Sequence, residues 1–176
     1  MILRGAQAAR YIARPDTAHA GLLLCGPDPM RVALKRQDAV AALLGPNGES
    51  EMRLTRLPAS DLRRDGAALS DALRASGFFP GQRVVLLEDA TDTAAPVIAA
   101  ALSDWRTGDA YLVVTGGDLK KGALRTLFEG HRAAAAIVLY DEPPTREDIQ
   151  AELSRAGLAR IDPAALADLT ALAQAL

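Results

Sequence analysis

Five short apolar runs alternating with stretches of helical periodicity constrain this chain more than any other feature. They are AGLLLCG (20–26), MRLTRL (52–57), QRVVLLE (82–88), AYLVVTGG (110–117) and AAAIVLY (134–140). AGLLLCG is continuously apolar, as a strand buried on both faces is, and QRVVLLE reads as another buried strand, whereas MRLTRL alternates like a half-buried strand. Strands separated by helices form right-handed βαβ units, so the fold expected is α/β: a five-stranded, mainly parallel sheet between two helical layers.

The intervening segments supply the helices. Met30, Ala33, Leu34, Ala41 and Leu44 fall on one face of a helix that stops at Gly45-Pro46-Asn47-Gly48. Asp65 is placed to cap a helix bearing Leu69, Ala72 and Leu73, with Gly77 ending it. Ile98, Ala101, Leu102 and Trp105 have the i, i+3, i+4, i+7 spacing of a buried helical face, and Pro96 fits only in its first turn. Leu124, Leu127 and Phe128 mark the next helix. The N-terminal segment reads as a short amphipathic helix, with Ile2, Ala6, Ala9 and Ala13 interleaved with Arg4, Arg10 and Arg14.

After Asp141-Glu142-Pro143-Pro144 the strands cease. Residues 145–157 and 163–176 read as two helices, separated by Gly157 and Asp162-Pro163. The expected organisation is an α/β domain over 1–142 and the start of a small, truncated helical domain over 143–176.

Composition closes off several classes. With 49% hydrophobic residues in 176, the chain can bury a core without covalent staples, and at 4% aromatic that core is mainly aliphatic. A net charge of −2 gives no overall attraction to nucleic acid or anionic membrane, although a local basic patch remains open. The single cysteine, Cys25, excludes an internal disulfide and a cysteine-based zinc site. No apolar run reaches the roughly 20 residues of a membrane span, and the N-terminus lacks a secretory apolar core. A cytoplasmic location is expected.

The loop after the first strand, Gly26-Pro27-Asp28-Pro29-Met30-Arg31, stands where a parallel α/β sheet places ligands. A phosphate-binding loop needs backbone N–H donors, a lysine for the phosphates and a Ser/Thr for magnesium. Here Pro27 and Pro29 remove two donors, Asp28 brings negative charge, and no Gly-Lys-Ser/Thr follows. Glu88-Asp89 stands where such an ATPase keeps its magnesium carboxylate. Without a phosphate cradle, these residues read as solvated or helix-capping, as does Asp141-Glu142. There is no Gly-x-Ser-x-Gly elbow and no His-Glu-x-x-His. His19 and His131 are isolated, and Cys25 lies in an apolar strand as a buried thiol. No catalytic residue, metal ligand or cofactor is expected.

Two other features call for a partner. Phe78 and Phe79 are two of only three phenylalanines and lie between Gly77 and Pro80-Gly81. A helix ending at Gly77 would let Phe78 pack on Leu73, but it leaves Phe79 as an apolar anchor for a pocket on another protein. In Gly116-Gly117-Asp118-Leu119-Lys120-Lys121, a cap at Asp118 would put both lysines in a first helical turn. The dipole disfavours cations there unless a phosphate is shared. The alternative is a pair of solvated lysines.

On these residues the chain resembles the delta-subunit family of the bacterial DNA polymerase III clamp loader. The resemblance rests on the N-terminal segment and on GLLLCGPDPMRVALKRQDAV at the position of a degenerate phosphate loop. It continues through DALRASGFFPGQRVVLLEDA, DAYLVVTGGDLKKGALRTLFE and AAAAIVLYDEPP. It implies an AAA+-type domain, a helical lid and a C-terminal collar, the last missing here. It also implies a non-catalytic subunit that binds and opens the sliding clamp (beta). The further partners implied are delta-prime, the gamma/tau ATPases and, through the assembled complex, primer-template DNA. The family's clamp-binding motif, a large apolar residue followed by Phe, falls on Phe78 and Phe79, with Phe replacing the commoner Leu at the first position. The pair Lys120 and Lys121 matches the family pattern too, as a possible DNA-phosphate contact. Two other readings stay open: a nucleotide-binding protein with a degenerate loop, and a delta-prime-like structural subunit, whose usual cysteine-based zinc module the lone Cys25 cannot supply.

Overall fold

A computed structural model describes residues 1–140, 143–158 and 160–175. The chain forms two compact units, Met1–Tyr140 and Asp141–Leu176.

The first unit begins with β1 (Ile2–Leu3), α1 (Gly5–Ala13), β2 (Gly21–Cys25) and α2 (Pro29–Leu44). It continues with β3 (Leu54–Pro58), α3 (Ala68–Arg74), β4 (Val84–Glu88) and α4 (Ala95–Asp104). It ends with β5 (Tyr111–Gly116), α5 (Ala123–Gly130) and β6 (Ala134–Val138). The sheet order is β1-β6-β2-β5-β4-β3 and every pairing is parallel. This is the expected three-layer α/β fold built on a parallel sheet, with six strands instead of five. The extra strand, β1, pairs Ile2 with Ala136 and Leu3 with Ile137. Two residues are too few to show a period of two, so the segment read as the start of the helix.

Alternation along the strands sends side chains to two cores. Leu23, Val85, Leu87, Leu112 and Val114 meet α3, α4 and α5 through Leu69, Ile98 and Phe128. Leu22, Leu24, Leu86 and Val113 meet α1 and α2 through Ile12, Val40 and Leu43. A fully buried leucine such as Leu23 contributes roughly 1.5–3 kcal/mol.

Several helical faces differ from expectation. Because α1 starts only at Gly5, it buries Ala8 and Ile12 rather than Ala6 and Ala9. α2 buries Val32, Ala39, Val40, Leu43 and Leu44, while Met30 and Leu34 are exposed. Two apolar stripes compete on that helix, and the sheet selects the one that ends in the bulky Val40-Leu43-Leu44 group. α3 stops at Arg74, where Ala75 turns to extended backbone (φ −54, ψ 135), three residues short of Gly77. Asp65 accepts from the Ala67 amide (3.0 Å) one turn earlier and is not the cap itself. Pro96 lies in the first turn of α4, and Trp105 just past its end donates from Nε1 to the Ala110 carbonyl (3.0 Å).

The second unit holds α6 (Arg146–Arg155) and α7 (Pro163–Ala175). Thr145 and Asp148 form a capping box at the start of α6. Gly157, at φ +83, closes its end. Among the described residues, no helix is long and apolar enough to cross a membrane.

Candidate functional site

The carboxyl ends of β2, β4 and β5 converge on a crevice of about 350 Å³ lined by Gly26, Pro27, Pro29, Val32, Arg36, Glu88, Asp89 and Thr115, among others. The side chains there point away from phosphate binding. The Asp28 carboxylate accepts from the Met30 amide (2.9 Å), so the N-terminus of α2 already has its anion. The three positions that would complete a phosphate-loop pattern begun at Gly26 hold Arg31, Val32 and Ala33, and Val32 is buried. Arg31 donates to the Tyr140 carbonyl (2.6 Å). Gly26 itself has a steric reason to persist, since a Cβ there would lie 2.2 Å from the Leu139 carbonyl oxygen.

Glu88 is partly buried and ion-paired rather than freely solvated, and it caps no helix, which differs from the reading of the sequence. Its carboxylate takes Arg36 Nη1 at 2.6 Å and Arg56 Nη1 at 3.7 Å, so α2 and β3 supply the cations. Asp89 is exposed and adopts φ 56, the left-handed region. The parallel reading of Asp141-Glu142 lies outside the described residues. Among the described residues, no group of three or more His, Cys, Asp or Glu side chains is placed to hold a metal ion.

The two histidines have separate surroundings. His19 Nδ1 lies 2.8 Å from the Tyr11 hydroxyl, which in turn lies 2.9 Å from the buried Tyr111 hydroxyl. His131 Nδ1 accepts from the Ala133 amide (3.2 Å). Burial pushes the Cys25 thiol up to about 11, which keeps it protonated and unreactive at neutral pH.

The aromatic pair stands at the other end of the sheet. Residues 75–83 connect α3 to β4 without regular structure. Phe78 is 94% exposed and Phe79 44%. Phe78 therefore does not pack on Leu73, because the helix ends too early to form the Gly77 closure. No amide of residues 76–83 donates a backbone hydrogen bond. Side chains hold the segment instead. Arg83 donates to the Ala75 carbonyl through Nη1 and to the Gly108 carbonyl through Nη2 (3.0 Å). The buried Arg53 donates to the carbonyls of Gln82 (2.9 Å) and Leu44 (2.8 Å) and, through Nε, to Glu51 (2.8 Å). Met52 beside it is 72% exposed at φ 53.

Lys120 and Lys121 are exposed, but they precede α5 and do not lie in its first turn. They sit in a turn closed by the Gly122 amide on the Leu119 carbonyl (3.2 Å). Asp92, not Asp118, serves the helix: its Oδ1 accepts from the Leu124 amide at 2.9 Å. A Cβ on Gly122 would lie 2.1 Å from the Asp92 carboxylate. The dipole conflict expected for the lysines is thus absent. The lysine turn follows β5 and the phenylalanine turn precedes β4, and these strands are parallel neighbours. The structure therefore places the lysines at the crevice end of the sheet and Phe78 and Phe79 at the opposite end.

Arg53, Arg83, Met52 and Asp92 escaped the sequence reading. An arginine inside an apolar flank, and Gly81 just before a strand, were the available signals for the first two. Asp92 left none, because its partner is 32 residues away.

No protein-family model matches the chain, and no curated protein matches it. Among solved structures, the chain is similar to the crystal structure of a DNA polymerase III gamma subunit-related protein from Thermotoga maritima. The identity is 14% and the TM-score 0.49, over 93% of this chain and 56% of that one. The chain thus spans a little over half the length of that protein.

Proposed function

We propose that this chain is the front part of a clamp-loader delta-type subunit, a non-catalytic protein that binds the sliding clamp and favours its open form. The reading is carried by one observation: Phe78, 94% exposed, stands beside Phe79 on a tip between α3 and β4. A phenylalanine left in water forgoes roughly 1.5–3 kcal/mol of burial, which a complementary pocket recovers. The pair shifts an open–closed equilibrium only by its difference in affinity for the two clamp states. No hydrolysis by this chain is required. In this reading the partner ATPases, gamma/tau, control when the tip is presented, with delta-prime completing the assembly. Lys120 and Lys121 are offered to primer-template DNA. The domain organisation that goes with it is an AAA+-like domain over 1–142 and a lid over 143–176, in the cytoplasm.

The test is a pull-down and titration with the cognate sliding clamp. The Phe78→Ala/Phe79→Ala double variant is expected to bind the clamp measurably more weakly while melting within a few degrees of wild type. An unchanged dissociation constant sinks the proposal.

The second reading is a degenerate nucleotide-binding protein, for which the crevice at Gly26–Pro29 would be the place of the nucleotide. It requires thermal stabilisation by millimolar Mg-ATP, through preferential binding to the folded state. A flat response rejects it.

A further inference from the structure

An exposed aromatic pair on a segment whose amides from 76 to 83 donate no backbone hydrogen bond would sample many conformations, and each docking event would first have to order it. The segment here has fixed points of another kind. Arg83, half-buried, reaches back to the Ala75 carbonyl at the start of the loop and across to the Gly108 carbonyl in the turn before β5. Arg53, buried, holds the Gln82 carbonyl at the end of the loop and joins it to the Leu44 carbonyl at the end of α2. The glycines of the segment fit around these side chains. A Cβ on Gly81, at φ +119, would come within 2.9 Å of Arg53 Nη1, and one on Gly77 within 3.0 Å of Arg83 Cδ. A guanidinium presents several N–H donors in a rigid fork, so it can hold two carbonyls from different elements at once, which suits this task better than an ammonium.

We infer that Arg53 and Arg83 are positioning residues that hold the Phe78–Phe79 tip in its presenting conformation before any partner arrives. The pre-ordering stands on its own geometry. Its value for clamp binding rests on the function proposed above.

Backbone ¹⁵N relaxation and clamp titration on the same proteins separate the two. In the wild type, residues 76–82 are expected to show order parameters of about 0.8, falling below about 0.6 in Arg83→Gln. The melting temperature should shift by only a few degrees. Arg74→Gln breaks a neighbouring exposed pair with Asp104 and should leave the tip unchanged. If Arg83→Gln fails to fold, Arg83→Lys retains the stem and one hydrogen bond and should give intermediate order. Clamp affinity should fall about tenfold in Arg83→Gln, with no further loss when the change is added to the Phe78→Ala/Phe79→Ala background. A tip already mobile in the wild type, or equally ordered in Arg83→Gln and Arg83→Lys, overturns the inference. A tip that loosens as expected in a protein that never binds the clamp leaves the positioning role standing and removes the clamp reading.

Discussion

Met52 holds φ 53 with its side chain 72% exposed, so it has backbone strain without compensating burial. An L-residue in that region costs about 1–2 kcal/mol, and asparagine tolerates it better than methionine. Met52→Asn is therefore expected to stabilise the fold by about 0.5–1 kcal/mol, read as a higher urea midpoint at unchanged slope. Gly26 presents the opposite case. A Cβ would lie 2.2 Å from the Leu139 carbonyl, so Gly26→Ala is expected to destabilise by roughly 2–4 kcal/mol. An effect that size without any nucleotide present would tie the glycine to strand packing and not to phosphate. Equal stability of the alanine variant would contradict the close approach. Both residues were visible in the sequence, but neither role was: a left-handed methionine and a carbonyl arriving from residue 139 belong to the folded chain.

At the scale of elements, α5 depends on a cap supplied from outside its own segment. Asp92 accepts from the Leu124 amide at 2.9 Å, and its charge faces the positive end of the helix. Asp92→Ala should cost about 1 kcal/mol, with the loss concentrated in hydrogen-exchange protection of α5. Asp118→Ala, the cap expected from the sequence, should leave that protection unchanged. The existence and order of the helices and five of the strands were legible, because alternation and 3.6-residue spacing are local signals. Boundaries and faces were less so. α3 ends at Arg74 rather than Gly77, with the Ala75 carbonyl taken by Arg83. The face of α2 was settled by which apolar stripe the sheet could bury.

For the whole molecule, three buried or half-buried acids are shifted in the direction that weakens the fold in alkali. Burial raises the Cys25 thiol to about 11 from an ordinary 9.0 and raises the Tyr11 and Tyr111 phenols as well. Each holds its proton more tightly folded than unfolded. Cys25 therefore contributes stability that is complete below about pH 9 and is lost as the pH climbs through about 11. The urea midpoint should accordingly decline across that window, and less steeply in Cys25→Ala. A flat profile would mean that the thiol is not desolvated. The opposite placement of the two candidate surfaces gives a second expectation at this scale. Phe78→Ala/Phe79→Ala should weaken clamp binding without changing any salt-dependent DNA binding. Lys120→Glu/Lys121→Glu should do the reverse, because sites at opposite ends of a rigid sheet act additively.

The linear chain determined the α/β class, the order of its elements, the lack of a phosphate-loop pattern at Gly26–Pro29 and the oddity of two adjacent phenylalanines beside a turn. Each of these follows from composition or spacing within a few residues, where propensity and periodicity operate. Tertiary structure decided the rest. It added β1 at the sheet edge, paired Glu88 with Arg36 and Arg56, gave α5 its cap from Asp92, and freed Phe78 from Leu73. It also tied the aromatic tip to Arg53 and Arg83. Those outcomes rest on contacts between residues distant in sequence, or on where a helix stops once a neighbour takes its carbonyl, and no local pattern encodes either.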